Sequence, residues 1–212
     1  MPGGVTPPVR GVILAGGGAS RLGGIAKGLE MVGGRRMLDR VAGALRAALG
    51  GEPLLVANDP GAATWDPALE VVADRHPGTG PLGGIATGLE AAGSDILCVA
   101  WDMPFVEPGL IRMIAAGLAG ADACLPESPG PRGLEPLAAA YARSALGPIT
   151  AAIGRGELAA VGFHSGARIA RLPLAEVRRF GDPARLFFNV NTAADLARAG
   201  AWTASPSPGP SS

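Results

Sequence analysis

Hydrophobic positions fall into short continuous runs that alternate with stretches at helical spacing. Residues 9–15 form the first apolar run and predict a buried strand. Met37, Val41, Ala44, Leu45, Ala48 and Leu49 then recur every three or four positions and predict a helix. Residues 53–57 and 69–73 read as two short strands, and 81–92 as a helix whose Pro-Leu start suits a first turn. A strand over 95–100, a helix over 108–118 and a strand over 121–125 follow. Beyond Leu125 the pattern loosens: 127–134 reads as a mobile loop, 135–141 as a strand, 148–155 as a helix and 168–172 as a strand. The last helix is expected over 192–199, with Thr192 as N-cap and Asp195 where a capping box takes Glu or Gln. Alternation of this kind predicts a three-layer α/β fold, a mostly parallel sheet with right-handed crossovers and helices on both faces.

One domain over residues 9–200 is expected, with disordered tails at 1–8 and 204–212, where Pro, Gly and Ser dominate. The chain is 48% hydrophobic and only 17% charged, which favours buried parallel strands over a solvated chain. Formal net charge is zero, so a phosphate-rich ligand has to be met by local cations. No basic stripe appears, and nucleic acid is not an expected partner. Nor does any apolar run approach the roughly 18 residues needed to span a membrane. Residues 1–8 have neither the basic nor the apolar region of a secretory signal, so a cytoplasmic chain is expected. Cys98 and Cys124 lie in apolar runs without metal-ligand spacing and read as reduced core residues.

The first strand runs into Gly16, Gly17 and Gly18, and Arg21 and Lys27 follow closely. Glycines let backbone N–H groups approach an anion, and the two cations can neutralise several phosphate oxygens. The passage reads as a nucleoside triphosphate site. A Walker loop is excluded because no Gly-Lys-Ser/Thr follows at the required offset. A dinucleotide fingerprint fits poorly because Arg21 stands where its third glycine belongs.

Three further stretches carry candidate chemistry. Asp102 follows the apolar run ending at Ala100, a position suited to Mg²⁺ held by one carboxylate with phosphates and water, or to a plain turn aspartate. The run from Asp74 to Gly84 is dense in Gly and Pro, either a surface loop or a segment that exposes backbone donors, with Asp74 placed to accept from a base or ribose. Asn189 and Asn191 alternate on an extended segment and so share a face, although from the letters alone Asn191 or Thr192 serving only as a helix cap is the preferred reading. His76 and His164 share no metal spacing and adjoin no nucleophile motif, so covalent catalysis finds no support.

Taken together, Leu14-Ala15-Gly16-Gly17 with Arg21 and Lys27, Gly80-Pro81-Leu82-Gly83-Gly84, Asp102-Met103-Pro104 and Asn189-Val190-Asn191-Thr192 resemble the molybdenum cofactor guanylyltransferase family. The resemblance runs from about Gly11 to Ala199. It implies a Rossmann-like nucleotidyltransferase fold, GTP and a molybdopterin-type molybdenum cofactor as substrates, a requirement for Mg²⁺, and cofactor-delivery proteins among the partners. It further implies that Leu14, Ala15 and Gly16, with Gly17 beside them, hold the nucleotide through the backbone. By the same resemblance Asn58 and Asp74 line the nucleoside pocket, Lys27 touches the phosphates, Asp102 binds Mg²⁺, and Asn189 and Asn191 face the pterin. The chain departs from the family at Ala26, where Asp is usual, and at Ala193, where Pro is common. The rival readings are a sister enzyme that uses CTP or another nucleotide, with the same pterin, an alcohol phosphate or a sugar phosphate, and a non-catalytic binding chaperone.

Overall fold

The computed structural model describes residues 9–16, 21–22, 25–130 and 133–204. The side chains of residues 21, 22 and 25 lie outside that description, as do Gly17 and both predicted tails apart from Ala204. Seven strands form one sheet: β1 (Arg10–Ala15), β2 (Leu54–Ala57), β3 (Glu70–Val72), β4 (Ile96–Ala100), β5 (Ala123–Pro126), β6 (Ala138–Tyr141) and β7 (Ile169–Leu172). Their spatial order is β7-β5-β6-β4-β1-β2-β3. β1 lies at the centre, pairing parallel with β2 (Leu14 opposite Val56) and with β4 (Leu14 opposite Ala100). β2 with β3 and β5 with β7 are also parallel.

β6 runs antiparallel to both of its neighbours, β4 and β5, the exception in a sheet that the alternation predicted to be mostly parallel. The reason lies in the connection. The described residues of 127–137 contain no helix, and a parallel crossover needs a dozen or more residues. The chain instead turns back on itself, with a bridge between Glu127 and Leu134 and a hydrogen bond from the Ser128 N–H to the Gly133 carbonyl (3.1 Å). The segment expected as a mobile loop is thus a hairpin at its described residues.

Alternation along each strand builds two cores. Ile13, Leu55, Leu97 and Val99 face α1 (Met37–Leu49) and α3 (Pro108–Ala116). Val12, Leu54, Val56 and Ile96 face α2 (Gly80–Ala92) and α4 (Leu146–Gly154). Each side chain of this size contributes roughly 1.5–3 kcal/mol when fully buried. Three short or late helices complete the chain: α5 (Leu174–Arg178), α6 (Pro183–Leu186) and α7 (Ala193–Ala204). The periodicity does not announce α5 and α6, because four or five residues are too few to establish a helical repeat. α7 reaches Ala204, five residues past its predicted end. The reading of Cys98 and Cys124 holds: both are free and buried, and desolvation pushes their thiols up to about 12 and about 11.

A polar clamp fastens the far edge of the sheet. The buried Asp122 carboxylate accepts from the Ser144 hydroxyl (2.5 Å), the Arg168 backbone N–H (2.8 Å) and the Arg168 guanidinium (3.2 Å). Arg168 first, and Ser144 after it, hold this carboxyl below the usual carboxylate range. A carboxyl depressed in the folded state contributes stability that is present above its unfolded value, about 3.9, and is lost as pH falls towards the folded one. Asp122→Asn should therefore lower unfolding free energy near neutrality, and its deficit against the wild type should shrink as pH drops below about 4. Urea unfolding across that range checks this, and a deficit independent of pH would show that the carboxylate charge is not what stabilises the clamp.

Candidate active site

β1, β2 and β4 are parallel, so their carboxyl ends meet at one edge and open into a cavity of about 600 Å³. Leu14, Ala15 and Gly16 line it from β1, Asn58 follows β2, and Asp102 follows β4. Asp74 lies beyond β3, while Gly80, Pro81 and Gly84 contribute the first turns of α2. Asn189 and Asn191 complete the wall. Every expected nucleotide or acceptor residue in the described part of the chain, except Lys27, therefore lines a single hollow. Gly17 and the Arg21 side chain lie outside the described residues.

The return of the late segment has a specific cause. The Val190 N–H donates to the Asp102 carbonyl (3.0 Å), which stitches the extended 189–191 segment to the turn after β4. Thr192 then starts α7 as the sequence predicts. Its hydroxyl accepts from the Asp195 N–H (3.1 Å), and the Asp195 carboxylate accepts from the Asn191 and Thr192 N–H groups (3.1 and 2.9 Å). The Thr192 hydroxyl, followed by these backbone donors, lowers the Asp195 carboxyl from its ordinary value. Asp completes the box in the place of the usual Glu or Gln, and Ala193 simply begins the helix.

Lys27 stands just behind the cavity and is buried. Its Nζ donates to Asp102 Oδ2 (2.6 Å) and to Asn191 Oδ1 (2.8 Å). Three distant parts of the sequence thus converge on one ammonium group. Asn191 is bound to the cation expected at the phosphates, a tie that the letters alone do not announce. Two packing features fix Lys27. Ala26, where the family has Asp, joins the apolar core, and Gly28 lies against the ring of Trp101. A Cβ at Gly28 would overlap that ring, which is itself stacked on Trp65 with centroids 5.3 Å apart.

The nucleoside side of the cavity is held by a network that sequence reading missed. The Asn58 side-chain oxygen accepts from the Asp74 N–H (2.8 Å). Asp74 Oδ1 accepts from the His76 N–H and from the hydroxyl of Thr87 (both 2.9 Å). Thr87 is fully buried on α2, and its hydroxyl also accepts from the Arg75 N–H (2.9 Å). The only signal in the letters was a lone Thr in an otherwise apolar helix face. The Gly-Pro run that was read as exposed backbone also serves packing: a Cβ at Gly83 would lie 2.6 Å from the His76 carbonyl. Close approach of α2 to this loop requires glycine there.

Chemically, the arrangement offers two carboxylates, Asp74 and Asp102, with one buried cation paired to the second, together with backbone donors and uncharged amides. The histidines stand apart from it. His76 Nε2 contacts Glu90 Oε1 (3.0 Å), and His164 packs edge-on against Phe163, with burial and the nearby Arg171 lowering its proton affinity. Neither lines the cavity.

Thr87→Val keeps the shape of the side chain and removes its hydroxyl, leaving the Arg75 N–H unpaired and Asp74 Oδ1 short of a donor. Unfolding free energy should fall by about 1–3 kcal/mol, the cost of unsatisfied buried groups. Thr87→Ser should retain most of the stability. Denaturant titration checks both variants, and a valine variant as stable as the wild type would show the network to be dispensable.

Comparison with known proteins agrees with this geometry. Residues 11–169 match the MobA-like NTP transferase domain family. A probable molybdenum cofactor guanylyltransferase of Chloroflexus aggregans is 37% identical over 196 residues, covering 88% of this chain and 90% of the relative. The molybdenum cofactor guanylyltransferase of Desulfosudis oleivorans is 32% identical, covering 90% and 94%. Among solved structures, molybdopterin-guanine dinucleotide biosynthesis protein A of Archaeoglobus fulgidus superposes with a TM-score of 0.77 at 28% identity, covering 92% of this chain and 99% of that one. The 2-C-methyl-D-erythritol 4-phosphate cytidylyltransferase of Thermus thermophilus, at 20% identity and a TM-score of 0.66 over 93% and 99% of the two chains, shares the fold. By sequence and architecture, this chain belongs to the molybdenum cofactor guanylyltransferase family of Rossmann-like nucleotidyltransferases.

Proposed function

We propose that this chain transfers GMP from GTP to a molybdopterin-type molybdenum cofactor and releases diphosphate. The observation that carries the reading is the union, at one cavity, of the end of β1, the Asn58–Asp74 network and the Lys27–Asp102–Asn191 cluster. The relatives named for this activity match over most of both chains.

In this reading the terminal phosphate of the pterin attacks the α-phosphorus of GTP in line. A P–O bond forms there, and the bond to the β-phosphate oxygen breaks. A phosphate dianion is already deprotonated near neutral pH, so no general base is required. The difficulty is bringing two anions together, which fixed positive charge and oriented dipoles offset. Lys27 supplies the charge. The first turns of α2, at the cavity wall, add the positive end of a 13-residue helix. Asp74, oriented by Thr87 and His76, accepts from the base or ribose.

Mg²⁺ fits the donor set. Asp102 lines the cavity just beyond β4 and its carboxylate stands beside Lys27. That suits a hard cation which takes one carboxylate and completes its shell with phosphates and water. When bound, it would neutralise phosphate charge. Asp102 would hold it through the carboxylate that now accepts from Lys27. Turnover with GTP, CTP, ATP and UTP tests base choice, with transfer from GTP alone expected; efficient transfer from CTP would overturn the assignment of the nucleotide.

Asp102→Asn should remain folded and lose at least about a hundredfold in turnover, the scale of removing one preorganised electrostatic group. Wild-type rates at limiting Mg²⁺ would remove Asp102 from the mechanism.

The two asparagines should separate. Asn189→Ala should bind GTP with near-normal affinity and transfer poorly to molybdopterin, because it is assigned to the acceptor side. Asn191→Ala should impair GTP binding as well, because its side chain holds Lys27. Calorimetry with GTP beside the transfer assay decides this, and identical behaviour of the two variants would refute the division.

A further inference from the structure

On the opposite side of the sheet from α2, between the start of α1, the start of α3 and α6, lies a second cavity of about 550 Å³. It shares no lining residue with the first. Its size is that of a small-molecule pocket. Arg35, Arg40 and Arg185 line it from three different elements, and Phe105 and Phe180 form apolar walls. We propose that this cavity is a binding site for a phosphorylated small molecule, recognised by the three guanidinium groups.

The guanidiniums are fixed in place by main-chain oxygens. Arg40 Nε donates to the Val32 carbonyl (2.8 Å), Arg35 Nη2 to the Asp39 carbonyl (3.1 Å) and Arg185 Nη2 to the Trp202 carbonyl (3.1 Å). Arg185 also lies over the Phe105 ring, 5.1 Å from its centroid. Each guanidinium carries five N–H donors in a planar fork, so these contacts orient the group and leave donors for a ligand. None of the three forms an ion pair with a carboxylate among the described residues. Two acids share the cavity wall, Glu107 and Asp182. Asp182 Oδ1 caps α6 by accepting from the Ala184 N–H (3.0 Å). Three cations against two acids leave an excess of positive charge in a concave, partly apolar space.

The cations also oppose one another. Burial, then the nearby Arg35 and Arg185, lower the proton affinity of Arg40. Like charges held together in excess of the neighbouring acids gain when an anion enters between them. A phosphate group suits the fork geometry through paired N–H···O bonds, and the phenyl walls leave room for an organic body attached to it.

Isothermal titration of the full chain with inorganic diphosphate tests the proposal. Wild type should bind two equivalents, one in each cavity. Arg35→Gln combined with Arg185→Gln should weaken one event at least about tenfold, while Arg35→Lys combined with Arg185→Lys retains it in part. Thermal melts confirm that each variant is folded. Lys27→Ala should affect only the other event. If the arginine variants remove one event and Lys27→Ala removes none, the second site stands and the role given to Lys27 falls. One event only, lost with Lys27→Ala and untouched by the arginine variants, would overturn the proposal. A Glu-rich peptide that binds through these arginines while diphosphate does not would overturn it too, in favour of an acidic protein partner.

Discussion

The structure turns on one ammonium group. Lys27 Nζ, at the end of a short ribbon, is held by a carboxylate 75 residues later and by an amide 164 residues later. Ion pairs of this kind seldom add net stability, because removing two charges from water costs several kcal/mol per ion. What the pair contributes is position. A buried lysine without Asp102 would leave an uncompensated charge, and Asp102 without Lys27 would do the same. The chain at Lys27, the turn after β4 and the chain before α7 are therefore obliged to meet at one place.

That obligation explains several small residues nearby. Gly28 has no Cβ because the Trp101 ring occupies the space one would fill, and Trp101 is in turn stacked on Trp65. Gly83 is bare because the His76–Thr79 turn lies against α2, and that turn carries the His76 N–H, one of the two donors that orient Asp74. Glycine near a phosphate site is commonly explained by approach to the ligand. At these two positions it serves approach of protein to protein, which sets the distance between the walls before any ligand arrives.

Much of the fold was legible because its signals are local. β1 carries the apolar run of residues 12–15, and the helical spacing from Met37 to Leu49 gives α1 with its boundaries. The antiparallel course of β6 was less legible: it depends on a short connection, and strand direction leaves little trace in hydropathy. α5 and α6 were invisible because a turn or two of helix has no period to detect. At the site, residue types and strand ends pointed to the end of β1, Asp74, Asp102 and the pair Asn189 and Asn191, whereas Asn58 and the assignment of these residues to one substrate pocket came from the family resemblance; the structure places them in one cavity. The partnerships were not legible. Nothing in the letters says that Asn191 binds Lys27 or that Thr87 orients Asp74, because hydrogen bonds across long separations are set by packing geometry.

The parallel arrangement of β1, β2 and β4 has one more consequence. All three strands end at the same edge, and the helices that follow them begin there on alternating sides of the sheet. On the α2 side the edge is lined by glycines, amides and the carboxylates of Asp74 and Asp102, so it accommodates a ligand that approaches the backbone closely. On the side of α1 and α3 it is lined by long cations and phenyl rings, so contact there is made through side chains held away from the strands. One edge therefore presents two chemically different hollows. The turn from Asp102 to Phe105 runs from the first to the second within four residues, so a ligand that moved Phe105 would act on the same turn that fixes the partner of Lys27.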